Sequence, residues 1–173
     1  MRHKLSMLPV LFAALAGLLS EAQAAAQLDP ENSARVRVYR EADITLYPGE
    51  YCYGSDNPQA IHASDGAPSL FSFNKKVGMP VTDDIPGAYN EYVIPAGKPT
   101  AVMLQWQAEK DGVQASCGPI GATFFPQSGR NYDVSLGYAG NCFVQIRELH
   151  ETSPGKATAQ LAPAGASFAC LTN

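Results

Sequence analysis

Little of this 173-residue chain carries the chemistry that catalysis needs. After residue 26 the histidines are His62 and His150, and the sequence has no nucleophile elbow, phosphate-binding loop, dinucleotide fingerprint or zinc-protease motif. No two carboxylates have a spacing that favours acid–base work on a glycosidic bond. The sequence therefore predicts a non-catalytic protein without a cofactor, and a hydrolase of envelope polymers built on His62 is the weaker alternative.

Positive charge is also scarce. Lysine and arginine number 12 against 16 acidic residues, so the formal net charge is −4. Nucleic acids and anionic membrane surfaces attract basic patches, which this composition does not favour. We expect no nucleic-acid partner, and we expect the partner to be another envelope or secreted protein.

The N-terminal residues predict an exported protein. A basic start, Met1–Lys4, precedes the apolar run Leu8–Leu19 and a small-residue cleavage site that ends at Ala24. The run is too short to cross a membrane comfortably. We interpret residues 1–24 as a cleaved signal peptide, expect no membrane span after cleavage, and predict a periplasmic or secreted location.

Four cysteines fit that location: Cys52, Cys117, Cys142 and Cys170. An even number in an exported chain favours two disulfides, for which three connectivities exist. We prefer Cys117–Cys142, because both residues begin strands at the same end of a predicted three-strand unit. The remaining pair, Cys52–Cys170, would then pin the C-terminal tail.

Hydrophobic alternation indicates strands. Val36 and Val38 alternate with Arg35 and Arg37, and the same period of two recurs in residues 131–138 and 142–149. The turn residues Pro48 and Gly49 predict a further short strand over residues 50–53. With 13 prolines and 15 glycines between such runs, the chain favours many short strands. We predict an all-β protein, a single antiparallel β-sandwich of about seven to nine strands over residues 25–149, followed by an extended Ala/Pro-rich tail, 150–173. The two arginines are interpreted as a solvated strand face.

Two aromatic residues are assigned structural roles. Trp106 lies on the apolar face of a predicted strand and is interpreted as a packing residue. Tyr132 follows Phe124, Pro126 and Gly129 in a pattern that resembles the tyrosine corner of immunoglobulin-like sandwiches, in which the hydroxyl returns to backbone a few residues upstream.

A wider resemblance covers most of residues 34–149. The runs RVRVY, TLYPGEYCYG and YVIPAGKPT, followed by C…F.P..G..YDV…C.VQI, resemble small uncharacterised exported proteins of proteobacteria. The resemblance implies an immunoglobulin-like or transthyretin-like sandwich and structural importance for Cys52, Cys117 and Cys142. It implies no activity.

Residues 54–88 stand apart from the strand pattern. They are rich in proline, glycine and aspartate and contain no long element, which is typical of a functional loop or a disordered segment. A metal held by His62, Asp56 and Asp65 is not favoured, because their spacing does not require one. We interpret the chain as a binding or interaction module of the bacterial envelope that recognises its partner through this region, and a structural envelope protein without a ligand site is the first alternative. The candidate binding residues are Tyr51, Tyr53, His62, Phe71, Lys75 and Lys76.

Overall fold

The structure is a computed structural model that describes residues 29, 31–54, 56–66, 75–84 and 87–171. The predicted signal peptide, residues 1–24, and the candidate binding residue Phe71 lie outside the described residues. Within the described ranges the chain forms strands and no helix, and so none that is long and apolar enough to cross a membrane.

In the described residues, ten strands form two five-stranded sheets. They are β1 (Ser33–Tyr39), β2 (Asp43–Pro48), β3 (Ile61–Asp65), β4 (Tyr89–Pro95), β5 (Thr100–Lys110), β6 (Val113–Phe124), β7 (Asn131–Tyr138), β8 (Cys142–Ser153), β9 (Lys156–Leu161) and β10 (Ala164–Ser167). Sheet I has the strand order β4-β1-β7-β8-β9, and sheet II has the order β10-β6-β5-β2-β3. Neighbouring strands are antiparallel except for β1 and β7, which are parallel.

The all-β prediction is confirmed, and two local expectations are wrong. The tail predicted after residue 149 continues both sheets, because β8 runs to Ser153, β9 extends sheet I and β10 extends sheet II. A short strand expected over residues 50–53 is replaced by a single bridge between Tyr53 and Ala169. The strand count of ten exceeds the expected seven to nine because the low β propensity of the alanine-rich tail concealed β9 and β10.

One hydrophobic cluster receives side chains from both sheets. Val36, Val38 and Val134 point into it from sheet I, and Ile44 and Leu104 from sheet II, all fully buried. Burying one such aliphatic side chain contributes about 1.5–3 kcal/mol, so this cluster is the main source of stability. The alternation in β1 and β7 is therefore explained by one face that meets the opposite sheet.

Of the two predicted structural residues, Tyr132 belongs to this core and Trp106 lies at its margin. The Tyr132 hydroxyl accepts the backbone N–H of Gln127 at 3.1 Å, which is the contact that the tyrosine-corner pattern predicts, and the Tyr132 ring packs 5.2 Å from that of Phe124. Burial raises the pKa of the Tyr132 hydroxyl. Trp106 is half-buried against the cluster, where the pairing of β5 with β6 shifts register.

Both disulfides of the preferred pairing are present. Cys117–Cys142 joins β6 of sheet II to β8 of sheet I, with Cα atoms 5.9 Å apart. Cys52–Cys170 joins residues 118 positions apart in sequence, with Cα atoms 5.0 Å apart. The two cross-links are consistent with an oxidising compartment.

Residues 49–54, which we name the cystine strap, cross the outer face of sheet II. The Gly49 N–H donates to the carbonyl of Pro99 at 2.7 Å, and the Tyr51 carbonyl accepts the hydroxyls of Thr123 and Ser167 at 2.9 and 2.8 Å. Thr123 is 8% exposed, although it points away from the core face on which Phe124 lies. The strap therefore buries part of a face that the strand pattern leaves to solvent.

Residues 75–84, the ionic strap, cross the outer face of sheet I. They cover a row of alternating charges, because Glu91 lies opposite Arg37, Arg37 beside Asp133, and Asp133 opposite Arg147. The first three of these residues are at most 1% exposed. The expectation that the β1 arginines form a solvated face is therefore wrong for Arg37.

The charged row holds the ionic strap through its backbone. Glu91 Oε2 accepts three consecutive backbone N–H groups, those of residues 77–79, at 2.8 to 3.3 Å. Arg37 Nη2 lies 2.8 Å from Glu91 Oε1 and donates to the carbonyls of Met79 and Pro80. At the far end of the strap, Asp84 accepts a hydrogen bond from Arg147.

The carboxyl groups of this row respond differently to their surroundings. Burial acts to raise the pKa of Glu91, but hydrogen bonds from Arg37 and from the strap amides outweigh it and lower that pKa. The hydrogen bond from Arg147 lowers the pKa of Asp84. Burial raises the pKa of Asp133, against the hydrogen bonds from Arg147.

Candidate functional site: an apolar groove with an aromatic rim

A groove opens between the sheets where β8 faces β10. β9 pairs with β8 only from Arg147 onward, and after Leu161 the chain crosses to sheet II and becomes β10. The last contact before the crossing is the Ala162 N–H to the carbonyl of Ile146, at 3.0 Å. Within the described residues, the Cys142–Gln145 part of β8 therefore has no strand partner on that side.

Small side chains leave the groove open. Ala122 points inward from β6, and the β10 residues Ala164 and Ala166 lie opposite Phe124 and Ala122 in the strand register. Three methyl groups fill little of the space between two sheets, which pack about 10 Å apart. The resulting groove has a volume of about 460 Å³. The described residues that line it include no charged side chain.

Three exposed aromatic residues lie on or against the cystine strap, and we call them the rim. Tyr51, Phe125 and Phe168 are 65%, 54% and 74% exposed, and the rings of Tyr51 and Phe125 meet edge to face with centroids 5.8 Å apart. Single exposed apolar residues are common on surfaces, but a group of them marks a contact site more often. Of these three rings, Phe168 is among the described residues that line the groove, and Tyr51 and Phe125 are not.

The cystine strap fixes the rim. The Tyr53 N–H donates to the carbonyl of Phe168 at 3.0 Å, and the Cys170 N–H donates to the carbonyl of Tyr53 at 2.9 Å. The Tyr53 ring rests on Gly121 of β6, where a Cβ atom would lie 2.6 Å from a ring carbon. Glycine is thus required at this position, and the disulfide holds Tyr53 and Phe168 in a defined relation.

The structure separates the predicted binding residues. Tyr51 and Tyr53 lie at the rim, whereas His62 lies on the edge strand β3, 61% exposed, with Nδ1 3.7 Å from the Asp43 carboxylate. Lys75 and Lys76 place their ammonium groups over the rings of sheet I residues Tyr92 and Tyr89, at 4.8 and 4.3 Å. Phe71 is outside the described residues. One continuous surface of these six residues is therefore not observed in the described ranges.

No group of three or more potential metal ligands occurs in the described ranges of the chain. His62 neighbours Asp43 and, at 3.4 Å, the Thr45 hydroxyl. The hydrogen bond and the carboxylate explain the position of the ring without a ligand.

Sequence reasoning missed Phe125 and Phe168. Phe125 adjoins the core residue Phe124, and only strand alternation distinguishes the outward ring from the inward one. Phe168 lies two residues before Cys170, and the preferred disulfide brings it to Tyr53. The aromatic residues beside Cys52 and Cys170 were therefore the available signal for the rim.

Comparisons of the chain with protein-family profiles, curated proteins and solved structures found no match. The resemblance to small exported proteobacterial proteins stays a prediction. The functional argument therefore rests on the geometry of the groove and its rim.

Proposed function

We propose that this chain is an exported, non-catalytic interaction module of the bacterial envelope that binds an extended, apolar segment of a partner protein. The observation that carries the proposal is the uncharged groove of about 460 Å³ beside an unpaired stretch of β8. An added strand forms main-chain hydrogen bonds with such an edge, and its alternate side chains enter the neighbouring groove.

Two further inferences accompany this function. The sheets stack as a β-sandwich of the immunoglobulin-like or transthyretin-like class, supported by a shared core and a disulfide between the sheets. The location is the periplasm or the exterior, supported by the two disulfides.

The chemistry of the groove decides the class of partner. Without a charged side chain among its described lining residues, it offers no ion pair to a phosphate, a carboxylate or an ammonium group. Aromatic rings at the rim provide large apolar contact area at low entropic cost. A peptide with apolar residues at every second position satisfies both features.

We propose this groove as the recognition surface in place of residues 54–88, which the sequence pattern favoured. Of the original candidates, Tyr53 lines the groove, and Tyr51 lies on the same strap but is not among the described lining residues. His62, Lys75 and Lys76 are on other strands and straps, and we assign them no role in binding.

A displayed library of random linear peptides, panned on the disulfide-intact protein, tests the proposal. We expect selected peptides to alternate apolar and polar residues and to slow amide exchange in Cys142–Gln145. Ala166→Trp fills the groove and should abolish binding, whereas Ala60→Trp, at an exposed alanine before β3, should not.

Several results would overturn the proposal. They are peptide binding that survives Ala166→Trp, selected sequences without apolar alternation, or protection confined to β3 and the ionic strap. Failure of every peptide would favour a structural envelope protein. Release of reducing ends or peptides from purified cell-wall polymer would favour the hydrolase.

A further inference from the structure

The tip of the β5–β6 hairpin projects beyond both sheets. On β5 the pairing with β2 ends at Gln105, and on β6 the pairing with β10 covers only residues 121–124. The four strand pairs beyond, from Gln107 with Ser116 to Lys110 with Val113, are exposed throughout. We name residues 107–116 the arm. Among the described residues, no third strand pairs with the arm and no face packs on it. Two-stranded ribbons without such support are marginally stable in water.

The two edges of the arm differ in charge. The β5 edge carries Glu109 and Lys110, residues that normally discourage the addition of a further strand. The β6 edge carries no charge from Val113 to Phe124, and its first proline is Pro119. Proteins usually protect exposed edges with charges, prolines or bulges. Among the described residues, the Val113–Cys117 part of β6 therefore has no strand partner on its outer side and no charge, proline or bulge, and the register shift and Pro119 follow it.

We propose that two copies of this chain pair their β6 edges as antiparallel strands about a two-fold axis at Ala115. Pairing there places Val113 opposite Cys117 and Gln114 opposite Ser116 of the second copy. Each pair consists of side chains on one face, as an antiparallel ladder requires. The pairing covers Val113, which is 70% exposed.

The second copy is favoured as the occupant for reasons of charge and symmetry. Both strands in this pairing are uncharged, so identical chains with a net charge of −4 meet where neither contributes repulsion. An isologous contact needs one self-complementary patch, and the five consecutive residues 113–117 provide it. The product is a four-stranded ribbon, which removes the instability of an isolated two-stranded arm. This inference does not depend on the proposed function, because it uses a different part of β6.

Sedimentation velocity tests the pairing with the full oxidised protein. We expect the average mass to rise toward that of a dimer between about 1 µM and about 1 mM, since association follows mass action. Over the same range, amide exchange should slow in residues 113–117 and stay unchanged in residues 107–110.

Two matched lysine variants locate the contact. Ala115 and Ala108 are cross-strand neighbours and both are exposed, so a lysine at either position should leave the fold intact. Ala115→Lys puts two like charges at the axis and should weaken dimerisation about tenfold. Ala108→Lys, on the already charged strand, should change it less than about threefold.

The results that would overturn the proposal are distinct. A mass that stays monomeric at all concentrations removes the dimer. A dimer that Ala115→Lys leaves unchanged, or that Ala108→Lys weakens equally, places the contact elsewhere. Circular dichroism and the absence of free thiols in both variants show that a lost dimer is not a lost fold.

Discussion

The two straps cross the outer faces of opposite sheets and are held in different ways. The ionic strap lies on a buried row of charges, and its backbone accepts and donates their hydrogen bonds. The cystine strap is held by Cys52–Cys170, and its aromatic residue Tyr51 remains 65% exposed. Side chains that hold a strap by hydrogen bonds are buried beneath it. A disulfide, in contrast, leaves the neighbouring side chains available for contact. The aromatic rim accordingly lies beside the cystine strap.

The largest expected effect comes from removing the covalent anchor. The double variant Cys52→Ala, Cys170→Ala should lose about 5 kcal/mol of unfolding free energy in the chain-entropy model, because the cross-link spans 118 positions. The matched double variant at Cys117 and Cys142, with a separation of 25, should lose about 3.5 kcal/mol. Urea unfolding measures both. An equal loss in the two double variants would show that loop length does not govern the difference.

Disrupting the charged row beneath the ionic strap should cause the next largest loss of unfolding free energy. Arg37→Ala leaves Glu91 buried without its cation, while Asp133 keeps its ion pair with Arg147, and removal of one member of a buried ion pair costs about 3–5 kcal/mol. Arg35→Ala is the control, because this half-buried side chain donates one hydrogen bond, to Gly78, and should cost about 1 kcal/mol. Urea unfolding of the two variants would contradict this ranking if they lost the same free energy.

Acid should open the ionic strap and leave the cystine strap closed. Glu91 and Asp84 have lowered pKa values in the folded protein, so the stability they contribute is complete above the ordinary carboxylate pKa of about 4. That stability is lost as the pH falls through the lowered values. Asp133, whose pKa is raised, acts in the opposite direction, so the readout must be local to the strap.

Amide exchange from about pH 6 to about pH 2.5, corrected for the intrinsic rate, provides that local readout. Protection of residues 77–79 should fall with acidification, while the Cys170 amide, bound to the Tyr53 carbonyl, should keep its protection. Glu91→Gln should show weak protection of the strap amides at every pH. If the amides of both straps lost protection over the same pH range, the predicted difference between the straps would be wrong.

The smallest effect concerns the Tyr51 carbonyl. Ser167→Ala removes one of its two hydroxyl donors, and Thr123 still provides the other, so the loss should be about 0.5–1 kcal/mol. Adding Thr123→Val leaves this carbonyl without either donor and should cost more than the sum of the two single changes. Urea unfolding of the three variants measures that difference, and simple additivity would argue against a shared acceptor.

Strand alternation predicted most of the strands but not what covers their outer faces. Residues 131–138 and 142–149 were identified from a period of two, and both belong to observed strands. The same period indicated that Arg37 faces away from the core, which is correct. Alternation shows to which face a side chain points but not which segment covers that face. It therefore could not show that the ionic strap, some forty residues away in sequence, covers Arg37.

Weak sequence signals account for the other differences. β3 is short and contains His62 and two small residues, and β10 consists of small residues alone, so neither has the β-branched and aromatic content that marks a strand. The groove depends on where β9 ends against β8, which is set by long-range register. The disulfide pairing could be predicted because four cysteines allow only three connectivities.

The nesting of the two disulfides constrains the order of folding. Cys52 is made first and its partner Cys170 last, with Cys117 and Cys142 between them. Chains emerge from their N-termini, so Cys52 meets two wrong thiols before the right one exists. Correct bonding then depends on delayed oxidation or on an isomerase that repairs early mispairing, and a strain without disulfide isomerase should accumulate the scrambled form.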